Sequence, residues 1–316
     1  MQFFKKYYII ETGKIFYILK NTKEEKYMYH IIANPVAGKK RARKNLIAVE
    51  KVFKERGVEY EVWFSGAAHD AEDIARKLTE KGETDIIVLG GDGTLHEVLN
   101  GLVDPARCRL GLVPSGTGND FAEKLGLPFD PAKAAELILN GEAKDTDYIQ
   151  IGDRRSMNVA GVGIDVDVLQ RCQRGRMKGK LKYLISLIQS LMSFKGYCVE
   201  IETEQGEIFE REVLISAVCN GDRFGGGIKI CPTAEVDDGK LSVVIVDCIG
   251  GVGKIIGAFM QLMKGKILSY PATTHFLCEK VRFRPQVECA AQLDGELYTE
   301  YDFTAEIKRG LKFFRA

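Results

Sequence analysis

The run Leu89-Gly90-Gly91-Asp92-Gly93-Thr94-Leu95-His96-Glu97-Val98-Leu99-Asn100-Gly101 restricts the folds open to this chain more than any other stretch. Upstream, Asp85 to Leu89 is a short apolar, β-branched segment that reads as a buried strand. Downstream, Leu95, Val98, Leu99 and Leu102 recur at helical spacing. The glycines therefore occupy a strand-to-helix turn, where backbone N–H groups approach an anion at the positive end of a helix dipole. Asp92 is the odd residue there. A carboxylate repels a bound phosphate unless a divalent cation lies between them, so the turn points to a nucleotide held with Mg²⁺.

The same alternation runs from Met28 to about Gly141. Tyr29 to Ala33, Tyr60 to Phe64, Asp85 to Leu89 and Arg109 to Val113 read as strands, each followed by a helical pattern with a polar face. That order predicts a doubly wound α/β domain with a largely parallel sheet, whose ligands bind beyond the carboxyl ends of the strands. Three glycine-rich or small-residue turns fall there: Asn34-Pro35-Val36-Ala37-Gly38, the Gly-Gly-Asp-Gly-Thr turn, and Pro114-Ser115-Gly116-Thr117-Gly118-Asn119-Asp120. After Gly141 the pattern changes to short strands at Thr146 to Ile151, Ser156 to Val162, Cys198 to Glu204, Arg211 to Val218, Leu241 to Val246 and Lys280 to Arg284. A sandwich or flattened barrel is predicted, interrupted by helices at Gly179 to Phe194 and Val252 to Ser269. The expected domains are an N-terminal extension at 1–27, an α/β domain at 28–143, a β-rich domain at 144–303, and a strand at 304–316 that can return to the first domain. The extension reads either as an added strand pair or as a start codon placed too early.

Composition narrows the partners. A net charge of +1 gives no global footprint for nucleic acid, so no nucleic-acid partner is expected and attraction to phosphate or lipid must be local. Two basic clusters supply it: Lys39, Lys40, Arg41, Arg43 and Lys44, then Arg171, Arg174, Arg176, Lys178, Lys180 and Lys182. The eight cysteines are scattered singly and read as reduced thiols of a cytoplasmic protein. The four histidines show no metal-ligand spacing, which argues against zinc. No Gly-x-x-x-x-Gly-Lys-Ser/Thr loop occurs, and Gly161-Val162-Gly163 and Gly251-Val252-Gly253 read as turns. No apolar run is long enough to span a bilayer, and no signal peptide is recognisable.

As a set, NPVAGKKRARK, GGDGTLHEVLNGL, PSGTGNDFA, GGGIKICPTAEVDDGKL and LDGE, in that order, resemble the diacylglycerol kinase catalytic-domain family, which includes bacterial soluble lipid kinases and the sphingosine and ceramide kinases. The resemblance runs from about Met28 to the C-terminus. It implies a nucleotide-binding α/β domain of NAD kinase/diacylglycerol kinase type, a β-sandwich lipid-substrate domain, and an active site in the cleft between them. It further implies ATP and Mg²⁺ as cofactors. Asn34 and Gly38 match the first nucleotide-binding turn, and Gly90, Gly91, Asp92, Gly93, Thr94 and Glu97 the phosphate loop. Ser65 stands where the family usually has Thr, with a cap for the helix at Asp70 to Leu78 as the competing reading. Thr117 matches a nucleotide contact, and Asp120 a carboxylate working with Asp92 around catalytic Mg²⁺, against the alternative of a helix cap before Phe121. Glu235, Asp238 and Lys240 match a second, structural Mg²⁺ site, although Asp237-Asp238-Gly239 is also an ordinary turn signature. Glu296 takes the role of the base that deprotonates the acceptor hydroxyl, with Asp294 as the nearby alternative.

The lipid side has its own physical handle. Leu181, Leu184, Ile185, Ile188, Leu191 and Met192 recur at helical spacing behind the second basic cluster, as an interfacial helix requires, and a core-facing helix shows the same stripe. Ile255, Ile256, Phe259, Leu262 and Met263 invite the same two readings. The expected activity is ATP-dependent phosphorylation of a lipid alcohol, with diacylglycerol the first choice, at a peripherally contacted membrane surface. Other lipid acceptors, a soluble substrate of the NAD kinase or phosphofructokinase kind, and a non-catalytic nucleotide- or lipid-binding regulator are the rivals. A homodimer is left open beside a monomer.

Overall fold

Apolar hexapeptides rich in isoleucine and valine build the first sheet because both their faces are covered by helices. The computed structural model describes residues 5–11, 14–20, 28–174, 189–190, 196–248, 250–287, 290–299 and 303–315. The chain divides into two units, Met1–Thr146 with Arg309–Ala316, and Asp147–Lys308.

In the first unit the elements are β1 (Lys5–Glu11), β2 (Lys14–Lys20), β3 (Met28–Ala33), α1 (Ala37–Arg56), β4 (Glu59–Phe64), α2 (Asp70–Glu80), β5 (Asp85–Gly90), α3 (Asp92–Gly101), β6 (Arg109–Pro114), α4 (Asp120–Lys124) and α5 (Pro131–Asn140). Strands β3 to β6 are parallel and lie in the spatial order β4-β3-β5-β6. The chain leaves β3 toward one edge and returns on its other side, which makes the carboxyl ends of β3 and β5 the point where the winding reverses. Ligands of doubly wound sheets bind at that point. β1 and β2 form a hairpin, and β2 pairs antiparallel with β4, so strands precede Met28 and extend the sheet. At the other edge Lys312 and Phe313 run parallel to Arg109 and Leu110.

One face of this sheet is covered by α1 and α5. Leu46, Val49, Val52 and Phe53 of α1 and Ala134, Ala135 and Ile138 of α5 bury against Ile31, Val62, Ile87 and Val113. Tyr29, Phe53 and Tyr60 stack edge to face at centroid distances of 5.7 and 5.6 Å. Phe53→Ala would cost about 3–5 kcal/mol at such a site. The helix stops at Gly57, whose φ of +66° suits glycine, while its N–H and that of Val58 close onto Lys54 and Phe53 carbonyls.

The second unit contains β8 (Arg154–Ser156), β9 (Val159–Gly163), α6 (Ile164–Arg174), β10 (Tyr197–Thr203), β11 (Ile208–Cys219), β12 (Arg223–Phe224), β13 (Ile228–Lys229), β14 (Leu241–Asp247), α7 (Val252–Met263), β15 (Thr273–Cys278), β16 (Lys280–Pro285), β17 (Ala291–Leu293) and β18 (Glu296–Tyr298). A further strand, β7 (Ala143–Ile151), leads into it, and β19 (Phe303–Phe314) leads out. β9, β11, β14 and β15 pair antiparallel in that order, and β11, β10, β16 and the first residues of β19 continue the antiparallel array. Alternation along β14 shows how the layers form. Leu241, Val243 and Ile245 point into a core with Val281, Phe283 and Phe303, whereas Val244 and Val246 meet Ile164 and Val168 of α6 and Ile255, Ala258 and Leu262 of α7.

Several expected boundaries differ. The helix read over Val252 to Ser269 ends at Met263, because Gly265 takes a φ of +66° and the chain leaves helical geometry before a short 3₁₀ turn at Ile267–Ser269. The strand read over Ser156 to Val162 is interrupted at Met157 and Asn158, whose N–H groups donate to the Asp294 carboxylate rather than to a ladder. Gly161 and Gly163 are strand residues and not a turn; a Cβ at Gly161 would lie 2.4 Å from the Ser216 carbonyl oxygen, so glycine permits close strand pairing. The helix expected at Gly179 to Phe194, with Arg176, Lys178, Lys180 and Lys182 before it, falls outside the described residues apart from 189–190. Among the described residues no helix is long and apolar enough to cross a membrane.

Candidate active site

The three small-residue turns meet at the carboxyl ends of the parallel strands, and their contacts explain their composition. Asn34 follows β3; its N–H donates to the Leu89 carbonyl at 3.1 Å and its side-chain amide to Thr94 Oγ1 at 3.4 Å. At Gly38 the backbone has a φ of +54°, and a Cβ would lie 2.1 Å from the Ser115 carbonyl oxygen. Only glycine allows the first turn to close on the third in that way. Gly91 and Gly116 press together in the same manner: a Cβ on the first would stand 2.8 Å from the Cα of the second. The Ser65 N–H donates to Ala33 at 3.0 Å, which brings the buried Ser65 beside Asn34.

Helix α3 begins inside this arrangement. Its first intrahelical bond runs from Leu95 N–H to the Gly91 carbonyl at 3.0 Å, so the N–H groups of Gly93 and Thr94 have no intrahelical acceptor. Thr94 is buried and Gly93 exposed, which leaves the open side of the turn lined by backbone. A Cβ at Gly90 would collide with Thr94 Cβ at 2.5 Å. The loop can thus carry no side chain between its backbone and an approaching anion, as close phosphate binding requires.

Asp92 does two things. Its Oδ2 accepts from Asn119 N–H at 2.7 Å and its Oδ1 from Phe121 N–H at 3.3 Å. The carboxylate therefore caps the start of α4 from another turn and places the buried Asp120 next to itself. Asn119, with a φ of +59°, folds back instead: its Oδ1 accepts from Gly116 N–H at 2.8 Å and its amide donates to the Gly116 carbonyl at 3.1 Å. Neither capping alternative from the sequence is found. Asp120 is the first residue inside α4, and the residue before α2 is His69, while Asp70 Oδ2 accepts from Gly66 and Ala67. Thr117 is exposed at the rim. Glu97 lies farther along α3, and its Oε2 accepts from Ala71 N–H at the start of α2 at 3.1 Å.

Asn45 escaped sequence reading. Its buried amide donates to Ser115 Oγ at 2.9 Å, and that hydroxyl donates to the Val113 carbonyl at 3.1 Å, so α1 holds the third turn in place. A polar residue in the middle of a buried helical stripe was the available signal.

In the second unit, Asp294 and Glu296 occupy one hairpin and differ sharply. Asp294 has a φ of +53°, and its Oδ1 accepts from Ser156 Oγ at 2.6 Å, Asn158 N–H at 2.8 Å and Val159 N–H at 3.3 Å. Its Oδ2 accepts from Met157 N–H at 2.8 Å. A carboxylate so engaged fastens a turn and is poorly disposed to receive a substrate proton. Glu296 is exposed, opposite Leu293 in the β17–β18 pair. At the other predicted cation site, Asp238 Oδ1 accepts from Lys240 N–H at 2.9 Å, Lys240 Nζ lies 2.8 Å from Glu279, and Glu235 is exposed. The buried Asp147, also missed in the sequence, accepts from Gly239 N–H at 2.7 Å and anchors this turn. Among the described residues no three His, Cys, Asp or Glu side chains gather as a ready-made metal cage.

Residues 28–151 match the diacylglycerol kinase catalytic domain, and residues 158–311 match the YegS C-terminal NAD kinase β-sandwich-like domain. A diacylglycerol kinase of Bacillus subtilis is 30% identical over 272 residues, covering 84% of this chain and 88% of that one. One from Staphylococcus saprophyticus is 31% identical over 270 residues, with 84% and 88% covered. The crystal structure of a diacylglycerol kinase from Bacillus anthracis strain Sterne superposes with a TM-score of 0.74 at 25% identity, covering 93% of this chain and 99% of that one. With both of its units matched and relatives 30–31% identical over most of their length, this chain belongs to the diacylglycerol kinase family.

Proposed function

We propose that this protein transfers the γ-phosphate of ATP to the hydroxyl of a lipid alcohol, with diacylglycerol as acceptor and phosphatidic acid as product. The observation carrying this reading is the closure of three small-residue turns, through close glycine contacts, around the start of α3, where Gly93 and Thr94 present backbone N–H groups without intrahelical acceptors. Asn34, Gly38, Ser65 and Thr117 would border the nucleotide. Kinases of this family use ATP, and curated relatives about 30% identical are named diacylglycerol kinases.

The carboxylates fit a cation held jointly with the nucleotide. Asp92 holds the backbone N–H groups on either side of the buried Asp120, which brings two acidic residues to a turn shaped for phosphate. Mg²⁺ keeps waters and phosphate oxygens as ligands and needs only one or two carboxylates, so the lack of a larger cluster is no obstacle. Bound there, Mg²⁺ would neutralise charge on the phosphoryl oxygens. A second Mg²⁺ would be held by Asp238 with carbonyl oxygens of Glu235 and Lys240, where it would stiffen the turn anchored by Asp147.

Glu296 is the base in this reading, since its exposed carboxylate can accept the acceptor hydroxyl's proton as the oxygen attacks the γ-phosphorus and ADP leaves. Asp294 holds the hairpin that carries it. Glu296→Gln tests the assignment: ATP binding should persist while lipid phosphorylation falls by about 10²–10⁴. Undiminished lipid phosphorylation by this variant would remove Glu296 from the mechanism.

A further inference from the structure

Helix α7 is apolar on both sides, and its inner side is already occupied. Ile255, Ala258 and Leu262 are 8%, 4% and 6% exposed and belong to the core against β11 and β14. Ile256, Met260 and Met263 follow one another at helical spacing on the outer side and are 49%, 48% and 51% exposed. The other large exposed apolar side chains among the described residues stand one to a segment, so this stripe is the place where they accumulate. Scattered exposed apolar residues are ordinary, whereas a contiguous stripe on a helix marks a contact surface.

Charge identifies the partner. From Cys248 to Cys278 the sequence contains no Asp or Glu, while Lys254, Lys264 and Lys266 flank the stripe and are exposed. An apolar stripe bordered by lysines, on a segment that carries no acids of its own, suits an anionic bilayer. The lysine stems can lie along the acyl boundary while their ammonium groups reach the headgroups. We propose that α7 docks the protein on anionic membrane surfaces, with Ile256, Met260 and Met263 entering the headgroup–acyl boundary. The inference rests on the lipid-kinase reading for the reason the protein visits a bilayer, but its surface chemistry stands separately.

The test uses the full chain and sedimentation with vesicles of phosphatidylcholine alone or mixed equally with phosphatidylglycerol. The wild type should favour the anionic vesicles and lose binding as KCl rises. Ile256→Ser/Met260→Ser/Met263→Ser should weaken anionic-vesicle binding about tenfold or more. Lys264→Gln/Lys266→Gln should weaken it about fivefold per charge. Both variants replace exposed side chains and should keep the wild-type melting temperature and the wild-type turnover on short-chain diacylglycerol in detergent micelles. Vesicle binding by the serine variant equal to that of wild type, or equal wild-type binding to neutral and anionic vesicles, overturns the proposal. Should the serine variant fold poorly, unchanged binding by the lysine variant does the same. Failure of the wild type to phosphorylate any lipid in micelles would count against the lipid-kinase reading, and the vesicle measurement would still decide the role of α7.

Discussion

Replacing Asp294 and Glu296 in turn separates a brace from a base. Asp294→Ala removes the acceptor for one hydroxyl and three backbone N–H groups, at 2.6, 2.8, 2.8 and 3.3 Å. The three shorter bonds, at about 1 kcal/mol for each donor left without its acceptor, sum to roughly 3 kcal/mol. For a unit of this size that corresponds to a fall of roughly 6–12 °C in melting temperature. Asp294→Asn keeps one acceptor oxygen but turns an amide N–H₂ toward the Met157 or Asn158 N–H, so about 1–2 kcal/mol should be lost. Glu296→Gln acts on an exposed side chain and should change stability by no more than about 0.5 kcal/mol. Its effect belongs to turnover. Scanning calorimetry paired with single-turnover transfer from ATP and Mg²⁺ to a micellar diacylglycerol measures both quantities on one preparation. A fully stable Asp294→Asn variant without turnover, beside an active Glu296→Gln variant, would refute this division of roles.

Gly116→Ala should keep the fold largely intact but lower nucleotide affinity, because its Cβ would sit 2.5 Å from the Gly91 Cα and must push the phosphate turn aside; isothermal titration with ATP and Mg²⁺ checks this. Asp238→Asn should abolish any rise in melting temperature that Mg²⁺ gives the protein without nucleotide, while Glu235→Gln should spare it if that residue offers only its carbonyl oxygen. Glu306 is held at about 2, below its ordinary value of 4.5, by Lys280 and Lys308. Its lowered value means that its contribution to stability is present above about 4.5 and is lost as pH falls through about 2. Because both lysines and the carboxylate are partly solvated, Glu306→Gln should cost about 0.5 kcal/mol or less at neutral pH and less still in high salt, read by urea unfolding.

The periodicity of the sequence exposed the layers and the turns, since both are local properties. The hexapeptide strands, the helical stripes of α1 and α5 and the three small-residue turns all follow from residues near one another in the chain. What the chain does with its side chains at the turns was hidden, because those bonds join distant segments. Asp92 reaches Asn119 and Phe121, Glu97 reaches Ala71, and Asn45 reaches Ser115. Asp92 reads as a cation ligand, Glu97 as part of the phosphate loop through the resemblance, and Asn45 is not singled out, yet the fold uses all three to bind distant segments together. The break at Met157 and Asn158 has the same origin: an apolar segment reads as one strand until a carboxylate more than a hundred residues away takes its N–H groups. Asp294 and Glu296 are equivalent by composition, and only the donors around the first distinguish them.

The protein is proposed to transfer phosphate from ATP to a lipid hydroxyl. Incubating the protein with γ-labelled ATP, Mg²⁺, a mixed lipid extract and a pool of soluble metabolites, then separating organic from aqueous phases, tests it directly. Label is expected in a phosphomonoester lipid in the organic phase, identified by mass spectrometry as phosphatidic acid and absent with Glu296→Gln. Label confined to an aqueous metabolite, or tight ATP binding with no transfer to any acceptor, would contradict it.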